Sequence, residues 1–305
     1  MFKVLSWNVL SPQLCQYKSP YFPKKYYHKS STDPKKRLQL LSNLLEKYIP
    51  NYHFVCLQEV PSIWYNQLYG IFRQHKFDCQ LATYGISENE LGVMVAWKKT
   101  SFEAQSITTQ RLGSIISKTT NNYDSTTPQF NKMIKASKVI HIKAGKKQNK
   151  ILWVHCSTKS INKKIKHFLV GSYHMPCAFD TPYLMNTHAR AILQSQTDII
   201  KMLKKKGIDC NTTILGTDMN STPNTEVVKI MKKKFDTIIL PNTTWVIRRP
   251  QTEYIEFKDT IDYIWVSSES EFQIVKTKLL CKTKISPNLS NPSDHFPICI
   301  YLRPK

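Results

Sequence analysis

The chain has 305 residues, 41% of them hydrophobic, which is enough to build a globular core. Its 44 Lys and Arg against 21 Asp and Glu give a formal net charge of +23. Such an excess points to a polyanionic partner, nucleic acid first and an anionic membrane surface second, with a merely solvated lysine surface as the alternative. Met1 to Asn8 lacks a basic region followed by a long apolar run, and nowhere do about 18 apolar residues stand together. The eight Cys are scattered without a C-x-x-C pair. No signal peptide, membrane span or disulfide scaffold is therefore expected, and the setting expected is reducing, cytoplasmic or nuclear.

In chain order, Phe2 to Asn8 reads as a buried strand, followed by a Pro- and Tyr-rich loop from Ser11 to His28. Asp33-Pro34 supplies a cap and a first-turn proline for a helix whose apolar stripe is Leu38, Leu41, Leu45 and Tyr48, stopped by Pro50. Phe54 to Gln58 is a second apolar strand with Glu59 at its carboxyl end. Pro61 opens a helix to about Phe72, and Leu91 to Trp97 is another strand. Ser114 to Asn131 reads as a polar surface loop, and Met133 to Ile142 with Lys150 to Val154 as a hairpin.

A basic turn, Lys159 to Lys166, leads into the strand His167 to Tyr173, with His174 at its end. Thr187 to Lys206 is a long helix, with Ile192, Gln196, Ile199 and Leu203 on one face and Gly207 at its C′ position. The stretch Thr213-Ile-Leu-Gly-Thr-Asp-Met-Asn-Ser-Thr-Pro223 starts as a strand. Gly216 is expected to let the backbone turn. Asp218 and Asn220, two apart, would leave an extended segment on one side, and Thr222-Pro223 would cap the next helix. Asp262 stands where the strand ending at Val266 begins, and Asp294 and His295 precede a last strand. With no repeat, linker or second core, residues 1–305 read as one α/β domain.

Taken singly, each polar residue has an ordinary explanation: an Asx turn, an edge carboxylate, a structural histidine. Together, Asn8, Glu59, His174, Asp218, Asn220, Asp262, Asp294 and His295 all fall at ends of predicted strands. If those ends gather, carboxylates, carboxamides and histidines converge. Such oxygen donors suit Mg²⁺, with Mn²⁺ as the alternative, and the lack of Cys ligands argues against zinc.

The ordered set Trp7-Asn8, Leu57-Gln58-Glu59, Tyr173-His174, Asp218-Met219-Asn220, Ile261-Asp262-Tyr263-Ile264 and Ser293-Asp294-His295-Phe296-Pro297 resembles the endonuclease/exonuclease/phosphatase superfamily, whose fold is that of deoxyribonuclease I. The resemblance implies a four-layer α/β sandwich of two mixed sheets flanked by helices. Asn8-Val9-Leu10, the Tyr-rich loop, Asn220 to Pro223 and Phe257 to Ile264 are most similar to the deadenylase-like branch that includes nocturnin and the Angel proteins.

By that resemblance, Glu59 binds a divalent metal with Asn8 beside it, and Asp294 supports metal or water. Asp218 positions or deprotonates the attacking water, Asn220 holds the scissile phosphate, and His174 donates to it. Asp262 orients His295, and Phe257 packs on the substrate base. The activity implied is Mg²⁺-dependent hydrolysis of nucleic acid, RNA first, of 3′-to-5′ deadenylase type. A repair-type nuclease, a small-molecule phosphatase or 2′,5′-phosphodiesterase, and a non-enzymatic RNA-binding module are the alternatives. Two departures stand out: Thr217 separates Gly216 from Asp218, and Tyr-His-Met-Pro replaces the branch's Thr-His-Leu around His174, which leaves adenine preference open.

Overall fold

The computed structural model describes residues 1–15, 23, 25–85, 90–120, 139–159, 165–248, 253–281 and 285–305. Strands β1 (Phe2–Asn8), β2 (Phe54–Gln58), β3 (Phe77–Tyr84), β4 (Leu91–Lys98), β13 (Phe272–Leu279) and β14 (Ile298–Pro304) form one sheet, in the order β13-β14-β1-β2-β4-β3. The second sheet takes β5 (Phe102–Arg111), β6 (Lys150–Thr158), β7 (His167–His174), β8 (Thr212–Asp218), β9 (Phe235–Asp236) and β12 (Asp262–Ser267), in the order β5-β6-β7-β8-β12-β9. A two-stranded ribbon, β10 (Thr244–Arg248) and β11 (Ile255–Asp259), stands apart from both.

The side-chain alternation of each strand sorts the layers. In β1, Val4 joins the cluster between the sheets, while Leu5 and Trp7 join a second cluster on the outer face. That outer face is covered by α2 (Pro34–Tyr48) and α3 (Tyr65–Gln74), through Leu41, Leu45, Leu68 and Phe72. The outer face of the second sheet packs on α4 (Leu112–Thr120), α5 (139–146), α6 (Pro182–Lys205) and α7 (Glu226–Met231). A short α1 (Lys29–Thr32) precedes α2. The result is the expected four layers: helices, sheet, sheet, helices.

Caps explain the long helices. Asp33 accepts from the Lys36 amide at 2.8 Å and Pro34 fills the first turn. The long helix begins earlier than Thr187, because Thr181-Pro182 supplies the N-cap position and the first-turn proline. It ends as expected, at Gly207 with φ +73°.

Several expectations are corrected. Residues 114–120 belong to α4 rather than to a loop, and 121–131 lie outside the described residues. The hairpin arm expected over 133–142 is helical from residue 139, and its earlier part lies outside the described residues. Parts of the Tyr-rich loop (16–22 and 24) and of the basic turn (160–164) lie outside them too. The helix expected at Thr222-Pro223 starts at Glu226, behind Thr225.

Gly216 makes no turn: it lies inside β8, facing the other sheet, where a Cβ would meet Cys56 Cβ at 2.5 Å and Ser6 Oγ at 2.7 Å. The missing Cβ lets the two sheets approach closely at this point.

Candidate active site

The inner-facing rows of four central strands carry polar residues toward one end of the sandwich. Gln58 sits between the sheets and donates to Ser172 Oγ at 3.0 Å, Ser6 Oγ at 3.3 Å and the Gly216 carbonyl at 3.3 Å. Beyond this ladder the rows end in Asn8 on β1, His174 on β7 and Asp218 on β8. Parallel pairing sets the ends level: Asn8 lies opposite Gln58, and His174 opposite Asp218. β12 runs the other way, so its first residue, Asp262, also lies opposite Asp218. β14 is antiparallel to β1, which brings the segment before it, Asp294-His295, to the same end.

Backbone strain completes the convergence. Glu59, Leu10 and Asn220 have φ of +58°, +54° and +44°, values that a side chain with a Cβ seldom adopts. Glu59 follows the inward-facing Gln58, so continued extension would aim it outward. The left-handed kink instead returns its carboxylate to Asn8 Nδ2 at 2.8 Å and the Ser11 amide at 3.0 Å. Asn220 therefore reaches the site by a turn rather than by the extended alternation expected. Its backbone N–H caps Asp218 Oδ1 at 2.8 Å, and its amide donates to the Met175 carbonyl at 2.9 Å.

Around this frame the polar groups meet. Asn8 Nδ2 donates to both Glu59 Oε1 and Asp218 Oδ2, each at 2.8 Å. His174 Nε2 lies 3.7 Å from the same two oxygens. The His174 ring is bracketed by the Tyr84 hydroxyl at Nδ1 (3.1 Å) and the Asn220 amide at Nε2 (3.2 Å). His295 Nδ1 is held by Asp262 Oδ2 at 2.9 Å, and its Nε2 faces Asp218 Oδ2 at 3.6 Å and Asp294 Oδ1 at 3.7 Å. All eight residues singled out by sequence share this one end.

Burial sharpens the electrostatics. Burial alone would lower the pKa of His295, but Asp262, Asp294 and Asp218 outweigh it and raise it to about 10. Burial raises the carboxyl of Asp218, opposed by His295 and His174. Four carboxylates, Glu59, Asp218, Asp262 and Asp294, each at most 5% exposed, crowd one end of the molecule. So much buried negative charge calls for cations.

Two donor sets are spaced to share a metal ion, Glu59, His174 and Asp218, and Asp218, Asp262 and His295, with ligand atoms within 4.8 Å of one another. The first set, with Asn8 beside it, is oxygen-rich and free of Cys, and therefore fits a hard divalent cation.

Other residues hold the site together without having been flagged by sequence. Arg37, 1% exposed, donates Nε to the Pro292 carbonyl at 2.7 Å and Nη2 to the carbonyls of Val9 (3.1 Å) and Leu10. It thereby ties the segment after Asn8 to the segment before Asp294. Thr244 Oγ1 donates to Asp262 Oδ2 at 3.0 Å and lies 3.0 Å from His295 Nδ1. Thr243 Oγ1 accepts from the amides of Ile261 (3.0 Å) and Asp262 (3.1 Å).

Phe257 stands off from this cluster, on the ribbon opposite Val246. It is half-buried against a small group made by Leu10, Cys15, Tyr27 and Val246.

The comparisons with known proteins agree with the fold. The Endonuclease/Exonuclease/phosphatase family profile matches residues 5–295, and the chain belongs to that family. The chain is accordingly a phosphoester hydrolase of a divalent-metal-dependent family. Among solved structures it is similar to ANGEL2, described as a 2′,3′-cyclic phosphatase in complex with adenosine-2′,3′-vanadate. The TM-score is 0.75 at 14% identity, over 99% of this chain and 95% of that one. It is also similar to the human Nocturnin catalytic domain with bound sulfate, with TM-score 0.67 and 16% identity over 100% and 93% of the two chains. A mannosyl-6-phosphatase of Bacteroides thetaiotaomicron gives TM-score 0.63 and 14% identity over 99% and 100%. At such identities the likeness speaks for the fold. No curated protein sequence matches the chain. Among the described residues, no helix is long and apolar enough to cross a membrane.

Proposed function

We propose that residues 1–305 form one catalytic domain that hydrolyses phosphodiester bonds of nucleic acid with Mg²⁺, RNA first, as a 3′-to-5′ exonuclease of deadenylase type. The observation that carries this is the meeting of Asn8, Glu59, His174, Asp218, Asn220, Asp262, Asp294 and His295 within hydrogen-bond and ion-pair distances on a chain of charge +23.

In this reading Glu59 and Asp218, their carboxylates oriented by Asn8 Nδ2, would hold the cation, whose contribution is to draw charge from a phosphoryl oxygen. Asp218 Oδ2 accepts the proton of the attacking water, and Asp294 fixes that water's approach. His295, kept charged and oriented by Asp262, and the Asn220 amide stabilise the charge that builds on phosphate. His174 Nε2 accepts from Asn220 in the present arrangement. To donate to phosphate, Nε2 must carry the ring proton, as in the tautomer whose Nδ1 accepts from the Tyr84 hydroxyl. Phe257 offers a ring to the substrate base.

A second reading follows from ANGEL2, described as a 2′,3′-cyclic phosphatase: the same groups would open a cyclic phosphate at an RNA 3′ end. One experiment separates the readings. Purified protein is incubated with Mg²⁺ or Mn²⁺ and end-labelled poly(A), mixed-sequence RNA, RNA ending in 2′,3′-cyclic phosphate, and abasic duplex DNA. A ladder shortening from the 3′ end supports the first reading. Loss of the cyclic end with full-length RNA retained replaces it by the second.

A further inference from the structure

We propose that Tyr26 and Tyr254, with Lys25, form a stacking platform for single-stranded polynucleotide, outside the site where phosphoester chemistry is assigned. The two rings meet edge to face, with centroids 5.1 Å apart and planes at 77°. Lys25 Nζ lies 5.5 Å from the Tyr26 centroid and 5.8 Å from that of Tyr254. Both tyrosines are about two-fifths exposed, at 39% and 42%. Lone exposed aromatics are ordinary on a surface. Two exposed aromatics locked together under a shared cation are a built feature.

The support beneath the platform is firm. Tyr27, next to Tyr26, is 4% exposed, and its hydroxyl joins Ile247 on the ribbon, donating to the carbonyl at 3.0 Å and accepting from the amide at 2.7 Å. Tyr254 immediately precedes Ile255, which pairs with Arg248. The platform is also tied to the active site through β10, whose first residue, Thr244, bonds Asp262 and approaches His295. Four to five strand residues separate Thr244 from the platform, roughly 15 Å at ~3.3 Å per residue. Partway along, Lys258 Nζ sits 3.8 Å over the Trp245 ring, a second cation and aromatic together.

Alternating cations and aromatic faces are how proteins hold single strands, the bases on the rings and the phosphates on the ammonium groups. A base can take Lys25's place on either ring while its ammonium turns to the neighbouring phosphate. The chain's net charge of +23 favours a polyanionic partner, and Lys25 and Lys258 put cations beside these rings. A platform so far from the scissile position is of no use to a mononucleotide substrate. It implies a polymer several nucleotides long.

The proposal rests on the nucleic-acid reading above, but its test separates the two. Wild-type protein and the Tyr26→Ala/Tyr254→Ala variant are compared in chelator for binding of a fluorescent single-stranded dodecanucleotide, a dinucleotide and phosphatidylserine vesicles. Hydrolysis of bis(p-nitrophenyl) phosphate in Mg²⁺ and melting temperature are measured alongside. Tyr26→Phe/Tyr254→Phe keeps both rings and serves as the control.

The variant lacking the rings is expected to bind the dodecanucleotide about tenfold more weakly. Dinucleotide affinity, small-diester hydrolysis and melting temperature stay at wild-type values, and the Phe variant behaves as wild type. Equal dodecanucleotide affinity in the Ala variant overturns the platform and leaves the hydrolase standing. So does a loss confined to binding of phosphatidylserine vesicles. If wild type hydrolyses no diester while the Ala variant still loses the dodecanucleotide, the platform stands and the nuclease reading falls.

Discussion

Two neighbouring residues of β7 make the same kind of contact on opposite faces of the sheet. On the outer face, Tyr173 meets His188 Nδ1 at 2.8 Å under the α6 layer. On the inner face, His174 meets the Tyr84 hydroxyl at 3.1 Å. The outer pair is closed. His188 is fully buried and its Nε2 reaches the Ala144 carbonyl at 3.1 Å. A carbonyl only accepts, so Nε2 carries the proton and Nδ1 receives the tyrosine's. Both nitrogens are spent on structure.

The inner pair is open: His174 Nε2 meets Asn220 and faces two carboxylate oxygens at 3.7 Å. A tyrosine beside a histidine therefore says nothing about function. What the second nitrogen faces decides it.

Five substitutions, the last read against pH, bear on that contrast. The largest effect is expected from Asp218→Ala, which removes the oxygen shared by Asn8, His174 and His295. Phosphodiester hydrolysis falls by at least about a thousandfold, while RNA retention on a low-salt filter stays near wild type. Next comes Asp262→Asn, which keeps the shape beside His295 but removes its charge partner. A drop in kcat of about a hundredfold with little change in KM is expected from steady-state kinetics.

The tyrosines come third and sort by face. Tyr84→Phe lowers kcat about tenfold. Tyr173→Phe leaves kcat unchanged but strands His188 Nδ1, costing about 1–3 kcal/mol in a urea titration. Equal kcat losses in both would erase the distinction between the faces.

The smallest effect is a pH dependence. Burial lowers the pKa of His188 to about 4. Above an unfolded pKa of about 6.5 both states are neutral and the group adds no pH dependence. As pH falls below that value the unfolded chain takes up a proton that the folded one refuses, and stability declines until about pH 4. One pH unit below the unfolded pKa the decline is about 1 kcal/mol. Burial lowers His53 and His155 to about 4 as well. The difference between wild type and His188→Gln, measured by denaturation at neutral and mildly acid pH, isolates the one residue.

How much of this was legible in sequence depends on whether a signal is local. Phe54 to Gln58 and the strand ending at His174 are almost wholly buried, so their apolar runs stand out. β5 and β13 were not foreseen: each lies at a sheet edge, and exposed polar residues such as Glu103, Lys276 and Lys278 interrupt their pattern. The eight site residues were legible because the family's motifs sit where strands end.

Their supports were not. Arg37 looks like one more cation after Lys35-Lys36, and only folding shows it sealed against Val9, Leu10 and Pro292. Nothing local marks Thr243 or Thr244, and Tyr84 is brought to His174 from the opposite sheet. Gly216 was misread because a glycine needed for sheet contact and one needed for a turn look alike in a sequence.

The most direct measurement of the central claim is the rate of diester hydrolysis on wild-type protein as Mg²⁺ is titrated from excess chelator to saturation. The convergence of carboxylates about Glu59 and Asp218 predicts no turnover in chelator and a saturable rise as the ion is restored. Turnover that persists in chelator, or none at any Mg²⁺ or Mn²⁺ concentration, contradicts it.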